Sequence, residues 1–106
     1  MAKHYLVLST IDSTKVAEQI AHHIVEERLA ACVNIIPDIT SVYKWKGALE
    51  RTTESLLVLK TTQERLSQLI ERIKELHPYE LPEVIVLPIE GGHPGYLDWV
   101  ASETSE

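Results

Sequence analysis

The sequence predicts one α+β domain, residues 1–106, in the order β-α-β-β-α-β with a short closing helix. Three observations carry that expectation. Each half of the chain runs from an apolar stretch through a helical repeat to a second apolar stretch. The halves are joined by one turn around Gly47. The length of 106 residues suits about one domain, and no linker or low-complexity stretch separates a second.

Tyr5, Leu6, Val7 and Leu8 form a continuous apolar run, so His4 to Thr10 reads as a central strand buried on both faces. Ile11-Asp12-Ser13 supplies a polar cap. Val16, Ala17, Ile20, Ala21, Ile24 and Val25 then recur at helical spacing, with Glu18, Gln19, His22, Glu26 and Glu27 between them. That pattern is an amphipathic helix with one face on a sheet. Leu29 to Ile36 returns to strand composition. Pro37 has no N–H for a ladder, so the strand must bulge there or lie at an edge. It resumes with Ile39, Val42, Tyr43 and Trp45, all good strand formers.

Beyond Gly47, an extended run from roughly Glu50 to Thr61 has Leu56, Leu57, Val58 and Leu59 at its heart. Thr61 and Glu64 stand three apart, as a capping box does. Leu66, Leu69, Ile70, Ile73 and Leu76 mark a second amphipathic helix, which Pro78 stops. Leu81 to Glu90 reads as a last buried strand, and Tyr96 to Ala101 as a short third helix. Two βαβ halves with right-handed crossovers give the ferredoxin-like split βαβ arrangement: an antiparallel sheet with both helices on one face.

The central hairpin is long for this plan. Strands usually run ~3–10 residues, whereas the pair from Ala31 to Thr61 can extend further. Its outer part carries Val42, Tyr43, Trp45 and Leu49. A bare two-stranded ribbon with exposed aromatics is marginal and invites pairing. Either the ribbon folds back on itself or it docks on further copies of the chain, and of these docking is favoured because a closed ring satisfies every copy equally.

Composition narrows the function. A net charge of −6 and the lack of a Lys/Arg run argue against nucleic acid. No stretch approaches the ~20 apolar residues of a membrane span. Cys32 is the single cysteine, which points to the cytosol rather than a disulfide framework. No G-x-S-x-G, H-E-x-x-H, C-x-x-C or P-loop pattern occurs, so an enzyme is not expected.

Several stretches together are distinctive: Glu26-Glu27-Arg28-Leu29-Ala30-Ala31-Cys32-Val33-Asn34-Ile35-Ile36-Pro37, Ser41-Val42-Tyr43-Lys44-Trp45-Lys46-Gly47, Leu59-Lys60-Thr61-Thr62, His77-Pro78-Tyr79-Glu80-Leu81-Pro82-Glu83 and Tyr96-Leu97-Asp98-Trp99. In order and spacing they resemble CutA, the divalent-cation tolerance family. The resemblance implies a fold similar to the PII signalling proteins and a homotrimer whose ribbons interlock. It also implies copper tolerance and the binding of divalent cations, Cu(II) foremost.

With that resemblance, Cys32, His77 and Glu80 become candidate metal ligands, since sulfur and imidazole suit copper. The plain alternative for Cys32 is a small buried hydrophobe. For His77 it is a helix C-terminus. Tyr43, Trp45, Glu54, Lys60 and Tyr79 are candidate linings of clefts between subunits. Their alternatives are interface packing for the aromatics and an ion pair for Glu54 and Lys60. Two functions follow: a trimeric holder of divalent cations, or a PII-like signalling or scaffold trimer that takes a small ligand or protein partner in its clefts. His22-His23 reads as surface histidines and His93 as part of a turn.

Overall fold

The computed structural model describes residues 3–106. Its elements are β1 (His4–Ile11), α1 (Thr14–Glu26), β2 (Cys32–Trp45), β3 (Ala48–Thr62), α2 (Gln63–Leu76), β4 (Ile85–Ile89) and α3 (Pro94–Thr104). The four strands form one antiparallel sheet in the order β2-β3-β1-β4. α1 and α2 pack side by side on one face. Between them and the sheet lies a core of Val7, Ile11, Ile20, Ile24, Leu57, Leu59, Leu69 and Ile73. Among the described residues no helix is long and apolar enough to cross a membrane.

β1 is central, as expected, but it is not buried on both faces. Val7, Ser9 and Ile11 are buried under the helices, while Leu6, Leu8 and Thr10 are half-buried on the other side. Both main helices lie on one face, so the second face stays open. It presents Leu8, Leu56, Val58, Ile36, Ile85 and Leu87.

α1 begins at Ser13, whose side chain accepts from the Val16 N–H. Its end departs from the expected strand start at Leu29. Arg28 has φ 60°, with Arg28 N–H donating to Val25 O and Leu29 N–H to Ile24 O. This is a Schellman turn in which Arg28 takes the place glycine usually fills. Leu29, Ala30 and Ala31 are buried in that turn, and β2 starts only at Cys32.

Pro37 sits where expected: on the edge strand, at a bulge between Ile36 and Ile39, with Asp38 at φ 61°. The hairpin closes through Lys46 and Gly47, both at positive φ, which matches the twist of the strands. The capping box does not form. Thr61 is still in β3 and donates its hydroxyl to Leu29 O at 2.7 Å, leaving Thr62 as an N-cap whose side chain does not cap the helix. β4 is shorter and more exposed than expected. Leu81–Val84 stay outside the strand, and Ile85 and Leu87 are exposed on the open face.

α3 is longer than expected. His93, read as a turn residue, caps it by accepting from Tyr96 N–H at Nδ1, and Pro94 follows at the first helical position. It crosses the end of the sheet, where His4 Nε2 meets Leu97 O at 2.9 Å. Two arginines grip its last carbonyls. Arg65 Nε donates to Thr104 O, and Arg28 donates to Ser102 O and Ser105 O.

The outer hairpin is the part that no helix covers. β2 and β3 are 14 and 15 residues long. From Ile39 and Glu54 outward they pair only with each other. The molecule is consequently 44 Å long but only 25 by 22 Å across. Val42 and Leu49, on one side of the ribbon, are 64% and 72% exposed.

Candidate functional site

Two groups of side chains contain most of the residues singled out from sequence, and they lie at different places on the open face. The first is at the start of β2. Cys32 pairs with Lys60, and Lys60 with Leu6 across the sheet, so all three point to the open face. Lys60 Nζ lies 3.8 Å from Cys32 Sγ and donates to Asn34 Oδ1. Tyr96 of α3 closes over the thiol. Burial pushes the Tyr96 phenol up, and the neighbouring Cys32 adds to the shift. Cys32 itself is half-buried.

The second group lies between the ribbon and the loop of residues 77–84. On β2 and β3, Ser41, Tyr43, Trp45 and Glu54 share a face, because Ile39 pairs with Glu54 and the alternation runs outward from there. Opposite them stand Tyr79, Leu81 and Glu83, with Thr10 at the base. Together they line an open cleft of about 490 Å³. The loop is fixed by His77. This buried side chain reaches Thr10 O through Nε2 at 2.8 Å, while its Nδ1 accepts from Tyr79 N–H at 3.1 Å. Those two bonds set the tautomer with the proton on Nε2 and use both ring nitrogens. Tyr79 in turn packs edge-on against His77, at 4.5 Å between ring centroids, and donates its hydroxyl to Glu54 Oε2 at 2.8 Å. Burial, then the Glu54 carboxylate, drives the Tyr79 phenol far above its ordinary value.

The structure therefore brings Tyr43, Trp45, Glu54 and Tyr79 together within one chain. Lys60 is not among them: it lies six residues from Glu54 along β3, about 20 Å away, and belongs with Cys32. Hence Glu54 and Lys60 form no ion pair within the chain. The three candidate metal donors also lie apart. Thr10, which His77 touches, is four residues along β1 from Leu6, the residue level with Cys32, or about 13 Å. Glu80 is exposed and pairs with Lys46 at 3.5 Å. Among the described residues no group of three His, Cys, Asp or Glu side chains could hold a metal ion together. Taken within one chain, Cys32, His77 and Glu80 do not fit a metal site.

Thr10, Ser41, Leu81 and Glu83 also line the cavity, and sequence reasoning missed them. Glu83 and Leu81 fall in what reads as a buried strand. Only the late start of β4, at Ile85, leaves them in a loop facing the ribbon.

A family model described as CutA1 divalent ion tolerance protein matches residues 5–103. The chain is 50% identical, over 99 residues, to the divalent-cation tolerance protein CutA of Thermus thermophilus, covering 93% of this chain and 96% of that one. It is 53% identical over 97 residues to the Protein CutA homolog of Xenopus laevis, where the match spans 92% of this chain but 64% of the longer frog protein. A crystal structure of CutA from Xylella fastidiosa superposes with a TM-score of 0.95 at 40% identity, covering 98% of this chain and 100% of that one.

Proposed function

The chain belongs to the CutA1 divalent ion tolerance family, and from that premise we propose that it acts as a homotrimer that holds divalent cations, copper foremost, and contributes to metal tolerance. It is read as a binding protein, not an enzyme, and is placed in the cytosol, where a single half-buried thiol suits a reducing compartment. The observation that carries the assembly is the uncovered ribbon. Its exposed Val42 and Leu49, and the open apolar face with Ile36, Ile85 and Leu87, are surfaces that further copies can cover in a closed ring.

Because the donors lie apart in one chain, an ion held by this protein draws them from more than one copy. Cys32 is the first of them, since its contacts to Asn34 and Lys60 are long, at 3.8 Å, and it is a soft donor. His77 and Glu80 contribute by giving up their bonds to Thr10 and Tyr79, and to Lys46. The test combines light scattering with a copper(II) titration by calorimetry on the native chain and Cys32→Ala. The expected mass is that of three chains, and the expected effect of the variant is weaker binding or fewer ions per trimer. A folded protein with the mass of one chain would remove the shared sites. Unchanged stoichiometry and affinity would remove Cys32 as a ligand.

One observation favours a second reading, a PII-like signalling or scaffold trimer that takes a small ligand. The cavity walled by Tyr43, Trp45, Glu54 and Tyr79 is of a size used for organic ligands, and Glu54 is buried at its edge.

A further inference from the structure

We infer that the cavity between the ribbon and the 77–84 loop receives a small organic cation, an ammonium or guanidinium group on a short apolar body. The inference deepens the second reading above and rests on it.

Charge is the first argument. Glu54 is only 6% exposed, yet Tyr79 is its one hydrogen-bond donor among the described residues, and that donor reaches a single carboxylate oxygen. A buried carboxylate ordinarily has a cation or several donors as partners. Glu83 adds a second carboxylate to the wall, and no lysine, arginine or histidine lines the cavity. Thr10 and Ser41 add hydroxyl oxygens that can accept. A carboxylate or phosphate ligand meets two like charges here and no cation.

Ring geometry is the second argument. Tyr43, Trp45 and Tyr79 supply three aromatic rings, and aromatic faces attract cations through the ring quadrupole. Trp45 already does so: Lys46 Nζ stands 5.5 Å from its ring centroid. The Lys46 charge is offset outside the cavity by Glu80. Leu81 leaves an apolar wall for a hydrocarbon body. Size separates this ligand from a bare metal ion. About 490 Å³ far exceeds one ion, and the walls bring no third His, Cys, Asp or Glu to complete a coordination shell.

The experiment titrates the full chain, in its solution assembly, with butyltrimethylammonium, butylguanidinium, butyrate and butanol. Binding is read by calorimetry and by Trp45 fluorescence in a Trp99→Phe background. Saturable binding of the two cations alone is expected, weakened about tenfold or more in Glu54→Gln. Glu83→Gln, on the half-buried loop outside the strands, where folding is at less risk than at the buried Glu54, is expected to weaken the same cations in the same direction. Undiminished cation binding in both glutamine variants overturns the inference. Butyrate or butanol binding as well as the cations, and abolished by Trp45→Leu, overturns the cation assignment while the cleft still takes a ligand. If none of the four binds, the cation inference and the cleft reading fall together.

Discussion

Residues Ser55–Thr62 of β3 pair with β1 on one side, and most of them with β2 on the other, beneath α1 and α2; Ala48–Glu54 of the same strand pair with β2 alone and have no helix above them. The inner part contains Leu56-Leu57-Val58-Leu59, with Leu57 and Leu59 in the core. The outer part reads Leu49-Glu50-Arg51-Thr52-Thr53-Glu54, and its Leu49 is among the most exposed apolar side chains of the chain. Backbone pairing is continuous apart from the bulge at Pro37 and Asp38, so hydrogen bonding does not distinguish the two parts. Packing does. Inner strands are held by burial of apolar area, while a lone two-stranded ribbon is marginal in water. The ribbon's order must come from something outside the helical layer, and the proposed trimer supplies it.

Three substitutions break or sharpen that contrast. The largest effect belongs to the inner half. Leu59 is fully buried, and Leu59→Ala is expected to cost about 2–5 kcal/mol of unfolding free energy in urea, through lost transfer energy plus the cavity left behind. A cost well under 1 kcal/mol would erase the distinction between the two halves.

Leu49→Ala, in the ribbon, is expected within about 0.5 kcal/mol when its surroundings are solvent alone. A larger cost that grows with protein concentration sharpens the contrast, because it shows that a second copy covers this leucine. The same cost without concentration dependence argues against such an interface.

The smallest effect is at the helix layer's surface. Arg72 donates two 2.9 Å bonds to the Glu27 carboxylate, and these hold the Glu27 carboxyl below its ordinary value of 4.5. A carboxyl whose folded value is depressed contributes stability above pH 4.5 and loses it as pH falls through the lower folded value. Glu27→Gln should therefore lower the melting temperature slightly at pH 7, less so at high salt, and by a margin that shrinks as pH falls below 4.5. A difference that stays the same across the acid range would assign the effect to packing instead of charge.

Much of the fold was legible in the residues because its signals are local. The helical spacing from Val16 to Val25 and from Leu66 to Leu76, the turn at Gly47 and the bulge at Pro37 each follow from the chemistry of adjacent side chains. The misreadings share another cause. Leu29-Ala30-Ala31 look like strand, yet they fill a Schellman turn through Arg28, a residue without glycine's tolerance of positive φ. Thr61 looks like a cap, yet its strand neighbours carry it into the core. Leu81 to Val84 look like a buried strand, yet β4 pairs with β1 only from His4 to Leu8, and beyond it Thr10 O is taken by His77.

The candidate site divides in the same way. Tyr43, Trp45, Glu54 and Tyr79 could be named from their residue types, but their convergence depends on a loop tied down by His77, a contact spanning 67 positions between His77 and Thr10. Separation is equally a tertiary outcome. Lys60 and Glu54, six positions apart on one strand, go to different sites, and Cys32 ends beside Lys60 instead of His77.

The amino-acid sequence alone determined the number, type and order of the elements, though not all their bounds, and that the hairpin outruns its cover, since periodicity and apolar content act over a few residues. Tertiary structure decided which polar groups meet, because strand register and loop anchoring bring together side chains that no local pattern relates. It also left one face of the sheet open, because both crossover helices pack on the other.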